Sequence, residues 1–136
     1  MNPPEKKLAG ACYCRTVTYL VADAFEYALI CHCTDCQRST GSAFKPFGAI
    51  ATAKLIVTSG DTDIARFGDE RTHNAFCERC GSLLYSLVRD AEYVHVTYGT
   101  LIDAPTRMPS AHIFVRSKAP WHVIGDDLPQ FQTFPE

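Results

Sequence analysis

The sequence predicts an all-β domain with little helix. Two observations carry that expectation. The apolar residues come in short runs, rich in β-branched and aromatic side chains and mostly separated by Gly, Pro, Asp or Ser. Only residues 34–39 read as helix, a turn or two that Thr34 would cap and Gly41 would end.

In chain order, residues 1–7 are expected to form a loose arm, because Pro3 and Pro4 cannot join a sheet interior. One domain is expected over residues 8–125. From Leu8 the pattern turns β-like, and Val17, Tyr19 and Val21 alternate with Thr16, Thr18 and Leu20. Residues 27–31 are a short apolar run that leads into a group of thiols. Residues 43–57 hold Phe44, Phe47, Ile50, Leu55, Ile56 and Val57, broken by Pro46 and Gly48. Further strands are expected at 63–67, 74–77, 83–88, 93–98, 111–115 and 121–124. Residues 126–136, with Pro129 and Pro135, are expected to run extended along the surface.

A chain of 136 residues buries roughly two-thirds of its unfolded surface, so its core needs no covalent staple. Apolar residues make up 46% and charged residues 21%, an ordinary globular balance. A net charge of -2 gives no basic footprint for nucleic acid. No polybasic segment or long apolar run points to a membrane partner. The charges at Glu5, Lys6 and Lys7 are not followed by a hydrophobic segment, so no secretory signal is expected and the reducing cytoplasm is the expected location. Disulfides are rare there, and the odd count of 7 cysteines resists a complete disulfide framework.

All the cysteines fall into three clusters: Cys12-x-Cys14, Cys31-x-Cys33-x-x-Cys36, and Cys77-x-x-Cys80-Gly81. The last is the most specific. Across a two-residue spacer both sulfurs can turn toward one metal, and the following Gly accepts a left-handed backbone. Cys12 and Cys14 would complete a tetrahedron, since residues i and i+2 of a strand share a face while Tyr13 points away. Cys31 and Cys33 share a face by the same argument, and Cys36 returns from the next turn. Four thiolates around zinc make a closed, structural site; three leave a position open. Three thiolates also make zinc a weak Lewis acid, better suited to holding a soft sulfur ligand than to activating water. His32, Asp35 and His112 are alternative fourth ligands, although alternation points His32 away from its neighbours. Unmetallated, buried thiols are the competing reading of all three clusters.

The spacing resembles the glutathione-dependent formaldehyde-activating family, which includes centromere protein V. The matching residues are Gly10-x-Cys12-x-Cys14-x-x-Val17-x-Tyr19, then Cys31-His32-Cys33-x-x-Cys36-x-x-x-x-Gly41-Ser42, then Phe76-Cys77-x-x-Cys80-Gly81-Ser82. The stretch from His112 to Trp121 is similar too. The resemblance implies a β-tent fold with two zinc ions. Cys12, Cys14, Cys77 and Cys80 would hold the structural ion, and Cys31, Cys33 and Cys36 the catalytic one. It also implies addition of glutathione to formaldehyde, giving S-(hydroxymethyl)glutathione, a reaction classed with carbon–sulfur lyases. One departure is Arg15, where the family usually has Gly.

Glutathione carries two carboxylates, so a pocket for it needs cations or amide donors. Arg38, Lys45, Arg116 and Lys118 are candidates, with Lys45 and Lys118 read as solvated surface charges. Ser39, Thr40 and Gly41 offer hydroxyls and a backbone amide, or only end the short turn. His112 is the most informative histidine, as a pocket residue or as a hydrogen-bonded structural one. Phe44, Phe47 and Trp121 are expected in the core or pocket wall. Two functions fit: a zinc-dependent lyase or synthase acting on a thiol–aldehyde adduct, or a non-catalytic zinc module that binds a protein partner. The four-plus-three ligand count predicts about two zinc ions per chain by elemental analysis of the reduced protein. One ion, with Cys31, Cys33 and Cys36 all open to thiol reagents, would reject the second site.

Overall fold

A computed structural model describes residues 5–135. The expected arm therefore lies mostly outside the described residues. The described residues form ten strands and one short α-helix: β1 (Lys7–Ala11), β2 (Thr18–Ala22), β3 (Tyr27–Cys31), α1 (Thr34–Thr40), β4 (Lys45–Ala51), β5 (Leu55–Ser59), β6 (Ile64–Gly68), β7 (His73–Cys77), β8 (Leu83–Val88), β9 (Tyr93–Thr97) and β10 (His112–Ile113). The fold is mostly β, as the sequence predicts. No helix among the described residues is long and apolar enough to cross a membrane.

The strands make two sheets. One has three strands in the order β1-β2-β5; the other has seven, in the order β10-β3-β4-β9-β8-β7-β6. The core follows from period-two alternation. Leu8, Val17, Tyr19 and Val21 of the small sheet and its approach meet Ile50, Ala75, Leu84, Val94 and Val96 of the large one. A second, smaller apolar cluster surrounds Cys31, built from Leu29, Phe47, Ala111 and Ile113. It packs the last turn of β3 against β4 and β10, and so fixes the start of the three-cysteine loop.

Three local expectations are corrected. β4 runs straight through Pro46 and Gly48, and the break falls instead at a 3-10 turn over Thr52–Lys54. Pairing with β9 begins at Phe47, so Pro46 takes no part in that ladder. At Gly48 a Cβ would lie 2.6 Å from the Tyr98 ring and 2.7 Å from the Phe25 ring. Gly is there to let two aromatic rings cover the strand. Residues 121–124 form no strand, and Trp121 is 71% exposed rather than core or wall. It is His122 that turns inward from this segment, its ring 5.1 Å from Phe44. Finally, Thr34 does not cap α1. Cys33 does, its sulfur accepting from the Cys36 N–H, while Gly41 closes the helix in the left-handed conformation as expected.

The tail stays close to the sheet. His112 N–H donates to Pro129 O, and Phe131 N–H donates back to His112 O, both at 2.9 Å. This adds a hydrogen-bonded segment outside β10 and covers much of that edge.

His95, on β9, stacks on Phe47 at 4.2 Å and shares a hydrogen bond with Tyr27 Oη. Burial holds its imidazole down to about 4, with Lys45 and Arg89 adding to the effect. The unfolded chain, near 6.5, therefore takes up this proton first as pH falls. The stability is present above about pH 6.5 and is lost toward pH 4. Urea denaturation at pH 7 and pH 4.5 should show a His95 contribution of about 2 kcal/mol to the loss, absent from a His95→Phe variant. An identical pH dependence in both proteins would refute it.

Candidate metal centre and adjoining cleft

The first cysteine group joins the two ends of the fold. Cys12 and Cys14 follow β1 on a tight turn closed by Arg15 N–H to Cys12 O at 3.0 Å, not on the strand that the spacing suggested. A turn serves as well as a strand here, because it brings both sulfurs to one side while Tyr13 stays 88% exposed. Arg15 has a φ of 66°, which explains the preference for Gly at this position: a Cβ is strained there. Cys77 ends β7, and Gly81 turns the chain back at a φ of 81° with its N–H on Cys77 O at 2.7 Å. Ser82 ties the halves together by accepting from Tyr13 N–H at 2.9 Å.

The four sulfurs lie within 4.8 Å of one another. Cys12 and Cys14 sulfurs are 3.6 Å apart, and those of Cys14 and Cys77 are 3.8 Å apart. A tetrahedral metal with sulfur bonds of about 2.3 Å requires edges of about 3.8 Å, so this group fits one ion. All seven thiols are free of disulfides.

The second group, Cys31, Cys33 and Cys36, also has its three sulfurs within 4.8 Å and can hold a second ion. Cys31 ends β3, Cys33 caps α1, and Cys36 lies one turn along it. The Cys36 thiol donates toward Cys31, which holds the Cys31 thiol down to about 6 and pushes that of Cys36 up. Burial opposes ionisation of Cys31, and Lys45 favours it.

The loop between these cysteines is anchored from the C-terminal side. His32 is fully buried and its Nε2 lies 2.8 Å from His112 Nδ1. His112 Nε2 lies 3.0 Å from both oxygens of Asp126. The carboxylate can only accept, so His112 Nε2 donates to it. With one proton per ring, His32 Nε2 then donates to His112, and the partnerless buried His32 Nδ1 is a bare lone pair rather than an orphaned N–H. Gln37 adds a clamp, donating to His32 O at 2.8 Å and to Ser117 O at 2.9 Å.

An open cleft of about 760 Å³ runs along α1, lined by Asp35, Arg38, Ser39, Phe67, Asn74, Phe76, Gly81 and Leu83. Helical spacing explains the split. Asp35, Arg38 and Ser39 share the exposed face, while Cys36, Gln37 and Thr40 are half-buried. Arg38 and Ser39 are therefore in the cleft wall. Thr40, Gly41 and the three second-group cysteines are not among its lining residues. The Thr40 hydroxyl donates to Cys36 O at 2.6 Å and the Gly41 N–H goes to Gln37 O. His112 has both ring nitrogens engaged within the buried chain described above.

Lys45 is the main correction. It is 5% exposed, not a solvated surface charge, and its Nζ donates to Ser86 Oγ at 3.0 Å. Ser86 Oγ in turn donates to Asn74 Oδ1 at 2.6 Å, on the cleft wall. Lys118 is half-buried, donating to Ala119 O at 3.1 Å and to His122 O. Gln37, Ser86 and Asn74 carried no sequence signal.

The fold and the two cysteine groups define a mostly β protein whose thiols could hold metal ions. More narrowly, residues 7–117 match the family model described as glutathione-dependent formaldehyde-activating enzyme, and the chain belongs to that family. The crystal structure of a Rhodobacter sphaeroides protein is similar in fold, with a TM-score of 0.59 and 23% identity, covering 73% of this chain and 92% of that one. No curated protein matches the chain.

The two groups should differ in their hold on the fold. Cys14 and Cys77 are 63 positions apart, whereas Cys31 and Cys36 lie within one loop. Loop-closure entropy alone separates the two by about 2 kcal/mol. Cys77→Ser should therefore lower the urea midpoint of metal-loaded protein well below that of Cys36→Ser. Equal midpoints would show that the first group does not secure the fold.

Proposed function

We propose that the protein is a zinc-dependent carbon–sulfur lyase or synthase acting on the adduct of a small thiol with an aldehyde. Glutathione and formaldehyde are the first pair to test. The observation that supports this most is the three-sulfur group at the start of α1, the helix that walls a cleft, in a chain of this family. Cys12, Cys14, Cys77 and Cys80 would hold a structural zinc, and Cys31, Cys33 and Cys36 a second. Bound by three thiolates, that second zinc would supply a weak Lewis acid with room for one soft sulfur ligand.

The chain's own residues would bind and orient. Asp35 and Arg38 both line the cleft, and neither is in an ion pair among the described residues. One free anion beside one free cation suits the ammonium and carboxylate of an amino-acid end. Phe67, Phe76 and Leu83 give the opposite wall an apolar surface. In the forward direction a C–S bond forms between the thiol sulfur and the carbonyl carbon, and the thiol proton passes to the carbonyl oxygen. The reverse breaks that bond and releases the aldehyde. Holding the two reactants together replaces a bimolecular encounter with a positioned one. Seven free thiols suit a reducing compartment, and we place the protein in the cytoplasm on that ground.

Calorimetry of anaerobic, zinc-loaded protein with glutathione should show binding. Arg38→Gln should weaken it about tenfold, the loss of a charge-assisted hydrogen bond. Cys36→Ser should keep the β circular dichroism while losing both binding and exchange of S-(hydroxymethyl)glutathione with formaldehyde. A folded Cys36→Ser protein that lacks the second zinc yet turns over normally would sink this reading. Absence of any thiol binding in the loaded wild type would favour a binding module.

A further inference from the structure

We propose that Lys45 is a positioning residue of the three-cysteine group, a fixed buried cation that balances the charge of its metal-bound thiolates and is itself held through Ser86 to the cleft wall. The inference rests on the reading of Cys31, Cys33 and Cys36 as metal ligands, and not on the identity of the substrate.

Geometry carries it. Lys45 is directly opposite Cys31 in the β3–β4 register. Cross-strand partners share a face, with Cβ atoms about 4.5–5.5 Å apart. The residue is 5% exposed, and no carboxylate pairs with it among the described residues. Its hydrogen bond goes to the neutral Ser86 hydroxyl, and the Phe47 ring lies 5.8 Å from its Nζ. A buried ammonium without a counter-charge is costly, and lysine is almost never buried unpaired. The groups around it able to carry negative charge are the three thiols. Zinc with three thiolates is one unit negative, so a single cation neutralises the ensemble. Burial pushes the Lys45 ammonium down from its ordinary range, and Cys36, Cys31 and Cys33 pull it back up.

The same chain of contacts gives Lys45 a second connection. Ser86 Oγ accepts from Lys45 and donates to Asn74, so one hydroxyl joins the cation beside the sulfurs to a residue of the cleft. Substitution of Ser86 by Ala would leave the charge in place but release its tether.

The test is metal affinity read separately at the two groups. Wild type, Lys45→Met and Ser86→Ala are loaded with Co²⁺ or Zn²⁺ and titrated with a chromophoric chelator. Methionine matches lysine in length and is apolar, so the strand should still pack. The four-cysteine ion serves as an internal check on folding in each protein. Lys45→Met is expected to weaken the second ion at least tenfold and leave the first unchanged. Its sulfur-to-cobalt charge-transfer band should shift for the three-cysteine ion alone. Ser86→Ala should fall between the two. Glutathione calorimetry is run on the same samples. Weakened second-ion binding in Lys45→Met supports the inference even where no protein binds glutathione, a result that would reject only the thiol-adduct reading. Equal affinity and an unshifted band in Lys45→Met would overturn the inference while leaving that reading intact. A wild type that holds a single ion overturns both.

Discussion

Cys14 and Cys77 stand 63 positions apart in the chain, and their sulfurs are 3.8 Å apart. Most of the fold can be read as what is needed to make that contact. Cys12 and Cys14 hang from the end of β1, which belongs to the small sheet; Cys77 and Cys80 hang from the end of β7, in the large one. The apolar core between the sheets sets their spacing, with Cys12 and Cys77 among its own buried members. A metal at this point would therefore join two sheets that share no hydrogen-bonded ladder. Structural zinc in small peptides contributes an apparent ~10–16 kcal/mol, as large as the whole stability of many domains. The core and the thiols are thus two supports for one geometry.

The three-cysteine group is held by different means. Its span is short, so chain entropy asks little of a metal there. What it requires is a fixed backbone. The Asp126–His112–His32 chain and the two hydrogen bonds from Gln37 supply it, tying the loop to His112, Asp126 and Ser117 far along the chain. His32 faces away from the sulfurs of its neighbours, and the buried ring anchors the loop as a peg does. The family match ends at residue 117, while Asp126 lies beyond it. The tail is therefore part of what shapes this loop in this chain.

Much of this was legible in the sequence. The cysteine spacings identified both groups and their partition, because ligand geometry tolerates few spacings. Short apolar runs located most strands, and strict alternation at Val17, Tyr19 and Val21 marked a face that is indeed buried. The failures share a cause. Residues 121–124 look like a strand, but the β10 edge beside them is already taken by the tail. Pro46 and Gly48 look like breakers, but their meaning depends on which neighbours pair and which rings pack over them. Lys45 looks like any lysine; only its pairing with Cys31 and its reach to Ser86 on a distant strand show that its side chain is buried. Local patterns report the period of a segment, whereas burial of a single residue depends on partners distant in sequence.

Charge accounts for how differently the two groups are surrounded. Four thiolates on zinc leave two negative charges, three leave one. The four-cysteine group meets its excess at the surface: Cys14 is exposed, and Val17 N–H donates to Cys12 Sγ at 3.3 Å. Water and backbone dipoles are enough there. Cys31 is buried in an apolar cluster, with the Cys33 backbone N–H as its one main-chain donor among the described residues. A charge of either sign alone would be penalised at that place, but a cation and an anionic group set side by side offset much of each other's desolvation. Packing beside Cys31 would be met as well by an apolar side chain at position 45. If Lys45 balances the charge of the sulfurs across from it, the residue at 45 reflects the chemistry of the site rather than the demands of the sheet.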